Sequence, residues 1–158
     1  MKNGKLYQMT IDAKDRKILE LLEADCRISN QELANKVGMS SSACWRKVKS
    51  LEEAGIIERY GAIVNPKRMG MNFTAMVHVQ LTRHDPDEVE SFLGAVARRR
   101  EIQSCYATTG QADYHLLITC EDIDAFNRFQ EEFLFRMKAI SSAQTNVVLK
   151  EIPVNTNV

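Results

Sequence analysis

The chain has 158 residues, 44% of them hydrophobic and 27% charged, with 21 Lys and Arg offset by 21 Asp and Glu. That length suits one ordinary domain or two small ones. No apolar run approaches bilayer length and no basic-apolar-small leader opens the chain, so neither a membrane span nor a secretory signal is expected and the protein reads as cytoplasmic.

Charge divides only slightly: residues 1–65 hold 11 Lys and Arg against 9 Asp and Glu, and residues 66–158 hold 10 against 12. Affinity for a polyanion must therefore come from local clustering and from several copies acting together. Cys26, Cys44, Cys105 and Cys120 lie far apart without a Cys-x-x-Cys pair. They read as small buried residues in a reducing compartment, with no disulfide, metal site or cofactor expected.

In chain order, Asp12 can cap a first helix with Ile18, Leu19 and Leu22 on one side. Ser29 with Glu32 three residues on has the spacing of a capping box, and Gly38 supplies a left-handed stop to a short second helix. After Met39, the run Ser40-Ser41-Ser42 offers hydroxyls to the first-turn amides of a third helix that Gly55 ends. Steps of about 100° put Cys44, Val48 and Leu51 on a core-facing stripe and Ser42, Arg46 and Lys49 opposite it.

A helix half with Arg46, Lys47 and Lys49 and no acid before Glu52 suits phosphate contact, although a merely solvated helical hairpin has the same pattern. Residues 56–64 look like a short extended hairpin, and three helices followed by a strand pair make a winged helix-turn-helix, which places its third helix in a DNA major groove. The DNA-contact candidates are Ser41, Ser42, Trp45, Arg46, Lys47 and Lys49. Trp45, about 100° from Cys44, flanks the core stripe and reads first as closing the core edge, second as touching the DNA backbone. The module spans 1–65, and Pro66 and Gly70 mark a linker over 66–71.

From 72 to 158 the pattern changes. Phe73, Ala75, Val77, Val79 and Leu81 alternate along one strand face, with Thr74, Met76, His78, Gln80 and Thr82 on the other. Asp85-Pro86-Asp87 opens a helix with Val89, Phe92, Leu93 and Val96 at helical spacing, and Arg98, Arg99 and Arg100 suit its last turn as solvated cations on the macrodipole. A second anion site is the competing reading of these arginines. Strands over 102–109 and 113–120 join at a tight turn near Gly110, a helix carries Phe126, Phe129, Phe133 and Met137 on one face, and a last strand covers 143–151. The order strand, helix, strand, strand, helix, strand is ferredoxin-like; both helices cover one sheet face, and the other is covered most simply by a second copy.

Taken together, Asp12-x-x-Asp15-x-x-Ile18-Leu19, Arg27-Ile28-Ser29, Leu33-Ala34-x-x-Val37-Gly38, Cys44-x-x-x-Val48-x-x-Leu51-Glu52-x-x-Gly55-Ile56-Ile57 and Gly110-x-x-Asp113-Tyr114 resemble the Lrp/AsnC, or feast/famine, transcriptional regulators over nearly the whole length. The resemblance implies an α+β chain: an N-terminal winged helix-turn-helix and a C-terminal ferredoxin-like βαββαβ domain of the RAM type. It also implies a sequence-specific regulator of double-stranded DNA, nucleoid-associated in a prokaryotic cytoplasm, built as a homodimer assembling to a tetramer or octamer. Family members usually carry a proline early in the recognition helix, where Ser41 and Ala43 stand, and an arginine at Lys47.

The resemblance further implies an amino-acid effector at the loop 108–113, where subunits meet, with Thr109, Gly110, Asp113 and Tyr114 as candidates. Asp113 can take the ammonium, and Thr109 with the amides around Gly110 the carboxylate. By spacing alone, Gly110 reads first as a turn residue and Asp113 as a strand cap, and only the resemblance favours the effector.

Enzymes of related fold act as sirohaem decarboxylases, which would draw on histidines, yet His78, His84 and His115 show no partner at ligand spacing, and no enzyme is expected. RNA-recognition domains share the split strand-helix order, but their basic-glycine-aromatic signature is missing.

Overall fold

The computed structural model describes residues 10–82 and 85–152, so His84 lies outside the described residues. The chain divides into two compact units, with the division along the sequence falling between Ile63 and Val64.

Three helices, α1 (Ala13–Ala24), α2 (Asn30–Val37) and α3 (Ser41–Glu53), build the first unit. Ile18, Leu33, Ala34, Cys44 and Leu51 form its buried core, closed by Leu19, Leu22, Val48, Ile56 and Ile57. The caps are local. Asp12 and Asp15 form a complete capping box on α1, while Ser29 accepts from the Glu32 amide at 3.2 Å without the expected reciprocal bond. The Glu32 carboxylate instead faces Lys36 at 3.6 Å.

The expected strand pair over 56–64 does not form: after α3 the chain runs irregularly. Ile56 and Ile57 turn into the helical core, whereas Ile63 is fully exposed, so no apolar face is left to support a ribbon that is marginal by itself. Tyr60 donates to Glu52 at 2.9 Å, and desolvation, reinforced by that carboxylate, raises its phenol to about 12.

In the second unit a 3-10 turn (Lys67–Met69) precedes β1 (Phe73–Leu81), α4 (Pro86–Val96), β2 (Ile102–Ala107), β3 (Tyr114–Cys120), α5 (Ile123–Glu132) and β4 (Ile140–Val147). The sheet is antiparallel in the order β2-β3-β1-β4. Ala75, Val77, Val79, Leu116 and Ile118 pack with Phe92 and Val96 of α4 and with Phe126 and Phe129 of α5. Each fully buried large side chain there contributes about 1.5–3 kcal/mol of transfer free energy.

Several expectations shift here. Leu93 is exposed although it shares the helical period. The aromatic helix stops at Glu132, and a 3-10 turn (Leu134–Arg136) brings Leu134 into the core, leaving Phe133 and Met137 to pack from outside a helix. The last strand begins and ends earlier than expected, with a register shift at Gln80/Leu81. Arg98, Arg99 and Arg100 follow α4 instead of ending it. Arg99 is no solvated cap: its guanidinium lies 5.2 Å and 4.9 Å from the Phe129 and Phe133 ring centres and pairs with Glu101 at 2.7 Å.

Cys44 and Cys120 are buried and Cys105 half-buried, and burial pushes all three thiols up; Cys26, expected inside, is exposed. Treating the native protein with an aromatic disulfide reagent should therefore titrate one thiol quickly, with Cys44 and Cys120 reacting only on unfolding. Fast reaction of several thiols, or loss of the fast phase without loss of Cys26, would contradict this.

Candidate DNA interface, effector loop and sheet face

Gly38, at φ 66°, ends α2 in the left-handed conformation, and Ser40 caps α3 by accepting from the Ala43 amide at 3.3 Å. Asn30 donates to the Ser41 carbonyl at 2.9 Å and Ser41 donates to Gln31 at 2.5 Å, so two side-chain bonds tie the start of α2 to the start of α3.

Ser42, Trp45, Arg46 and Lys49 are exposed along one face of α3, opposite Cys44 and Leu51. Trp45 is 57% exposed, which corrects the reading of it as a core edge. With Asn30, Ser41, Ser42 and Arg46 it lines an open concavity of about 450 Å³. Among the described residues Arg46 has no ion-pair partner, while Lys49 sits 3.3 Å from Glu52.

Lys47 departs from expectation. Its Nζ lies 2.8 Å from Asp12 Oδ2 and 2.6 Å from Asp15 Oδ1, and Asp15 is buried. The side chain therefore points back to the α1 cap and is spent on the fold, because moving its ammonium to a phosphate would leave a buried carboxylate unpaired. Ser41 is likewise committed to Gln31 as a donor. The sequence pattern did not reveal Asn30 and Gln31 as the residues that cradle the helix start; neither carries a charge or periodicity signal.

In the second unit, Thr108 to Gln111 are exposed and Gly110 has φ 129°, a conformation suited to glycine, with open space where a Cβ would stand. Thr108 donates from its hydroxyl to the Ala112 carbonyl at 3.2 Å. Asp113 Oδ2 accepts from the Leu81 amide at 2.8 Å, so this carboxylate does cap the end of β1. The Tyr114 ring packs 5.1 Å from Phe92, half-buried on the core side. The structure thus brings Thr109, Gly110 and Asp113 to one turn and directs Tyr114 inward.

On the outer sheet face His78 stands directly opposite His115, with Nδ1 atoms 2.5 Å apart and ring centres 4.6 Å apart. The expectation that no histidine has a second histidine at ligand spacing is therefore wrong. Both positions were legible as alternating strand sites, but only the β1–β3 register makes them neighbours.

A three-helix unit presenting one exposed helix face, on which Arg46 has no ion-pair partner among the described residues, followed by a ferredoxin-like sheet domain, defines the helix-turn-helix class of protein with an appended α+β domain. Residues 11–58 match the model for winged helix-turn-helix DNA-binding domains, and residues 74–158 match that for the Lrp/AsnC ligand binding domain. The chain is 36% identical to the transcriptional regulator AzlB of Bacillus subtilis over 139 residues, 88% of each chain. It is 37% identical to the leucine-responsive regulatory protein of Escherichia coli K12 over 142 residues, 90% of this chain and 87% of that one. Its fold superposes on the crystal structure of a Neisseria meningitidis transcriptional regulator in complex with L-methionine with a TM-score of 0.88 at 36% identity, covering 94% of this chain and 96% of the other.

The chain belongs to the Lrp/AsnC family of DNA-binding transcriptional regulators. The relatives named above are themselves regulatory proteins. Among the described residues no helix is long and apolar enough to cross a membrane.

Proposed function

We propose that this chain reads double-stranded DNA through Ser42, Trp45, Arg46 and Lys49 and that a free amino acid, seated at the 108–113 turn between copies of the chain, alters how those copies assemble. The observation that carries the DNA reading is the exposed α3 face, where Arg46 has no partner among the described residues. Two such helices in a homodimer favour imperfect palindromes, and further assembly to a tetramer or octamer would space the pairs along bent DNA in a prokaryotic cytoplasm.

The turn supports an amino-acid effector by chemistry: Gly110 exposes backbone amides to a carboxylate, Thr109 adds a hydroxyl, and Asp113 supplies a negative charge for an ammonium. The methionine held by the Neisseria regulator favours the same ligand class here. A second copy on the outer sheet face would cover Met76 and Tyr106, both exposed in the single chain. The effector must bind the assembly states unequally to have any effect.

The test is thermal melting against the twenty amino acids, using Asp113→Asn because asparagine keeps an oxygen for the Leu81 amide. One side-chain class should raise Tm by about 5 °C or more at saturating ligand, and the folded variant should show no such rise above its own unliganded Tm. No rise with any amino acid would overturn the effector reading and leave the DNA reading standing.

A further inference from the structure

We propose that His78 and His115 form a binding site for a divalent transition ion of the imidazole-preferring class, Zn²⁺, Ni²⁺ or Cu²⁺, on the outer face of the sheet. The two residues are register partners on β1 and β3. Both strands are interior, β3 flanked by β2 and β1, and β1 by β3 and β4, so the backbone beneath the pair is held from both sides.

The rings meet nearly edge to face, at 84°, and turn the same atom, Nδ1, toward one point. In the metal-free pair one Nδ1 carries a proton and the other accepts it. A tetrahedral ion bound at about 2.0–2.1 Å from each nitrogen would hold them about 3.3 Å apart. Opening the present 2.5 Å separation to that value takes a small rotation of each ring and no strand movement. The shared proton then moves to Nε2 of its own ring, leaving two neutral imidazoles with Nδ1 lone pairs on the ion.

The same row across the sheet continues to Tyr106 opposite His115 and to Gln144 opposite His78. It contains no carboxylate, and no group of three or more His, Cys, Asp or Glu with ligand geometry occurs among the described residues. Each chain thus offers half of a coordination sphere. Water, or the same pair from a second copy, supplies the rest. Nitrogen-only donors select against Mg²⁺ and Ca²⁺, which need oxygen.

The experiment uses the full chain stripped with a chelator and titrated with Zn²⁺ by calorimetry, beside H78Q/H115Q and a C26S control that removes the exposed thiol. Wild type and C26S should bind Zn²⁺, and H78Q/H115Q should lose at least about tenfold in affinity. One ion per chain or one per two chains both support the site and tell whether copies share it. Imidazole ¹⁵N spectra of the wild type keep the test sharp even if the double variant folds poorly: Zn²⁺ should move the His78 and His115 ring signals. Absence of binding, equal binding by a folded H78Q/H115Q, or ring shifts confined to His84 would overturn the proposal. Because neither readout involves DNA or an amino acid, its failure is distinct from failure of the proposed function.

Discussion

Lys47→Met is expected to destabilise the N-terminal unit by about 2–3 kcal/mol, the largest single-residue effect on folding outside the apolar core. Methionine fills similar space but leaves the buried Asp15 carboxylate without the ammonium now 2.6 Å away. Asp15 would retain only its bond from the Asp12 amide at 3.0 Å, which keeps the cost toward the lower end of what broken buried pairs show. Lys47→Arg should cost much less, since a guanidinium fork can serve both Asp12 and Asp15. Chemical denaturation of the three proteins, followed by Trp45 fluorescence, measures the difference; equal midpoints for Lys47→Met and wild type would show that the contact contributes nothing.

The same contact sets the response to acid. The Lys47 hydrogen bond, followed by that from the Asp15 amide, lowers the Asp12 carboxyl from 3.8 to about 2. A carboxyl lowered in the folded state stabilises it above its unfolded value, and that contribution disappears as pH falls from about 4 to about 2. Lys47, raised above 10.5 chiefly by Asp12 and then Asp15, contributes below that pH and loses the contribution as pH rises through its folded value. In Lys47→Met the fall in Tm between about pH 4 and pH 2 should be shallower.

Arg46→Ala is expected to weaken binding to a cognate DNA site by about tenfold or more for each recognition helix engaged, with preference among sites relaxed if the guanidinium reads a base. Its position four residues from Ser42 and three from Lys49 on the exposed face, with no partner to give up among the described residues, makes it the least costly cation to commit. Lys49→Ala should have a smaller effect, because Lys49 must first leave Glu52 at 3.3 Å. If Lys49 meets a phosphate, its loss lowers affinity uniformly across sequences and reduces the salt slope by about 1 per contact. Fluorescence anisotropy over a range of salt concentrations separates these outcomes, and unchanged affinity in Arg46→Ala would remove that residue from the interface.

Lys47 illustrates why a helical-wheel argument stops short of a binding site. Its charge and its place on α3 matched a phosphate contact, yet the deciding partner lies 32 residues earlier in α1. Trp45 failed in the opposite sense: an aromatic beside the core stripe is exposed because Cys44 and Leu51 already fill the space between the helices.

What the sequence alone determined was whatever depends on a few consecutive residues. Asp12, Ser29, Ser40 and Asp85 start helices because their side-chain oxygens reach nearby amides, Gly38 ends one because φ 66° costs glycine little, and period-two alternation assigns the core face of β1. The tertiary structure alone decided the Lys47–Asp15 pair, the Asp113 bond to Leu81, the irregular path over 56–64 and the meeting of His78 with His115. Each of these depends on strand register or on the packing of distant helices, where the competition is for shared space and buried charge, and no local pattern records its outcome.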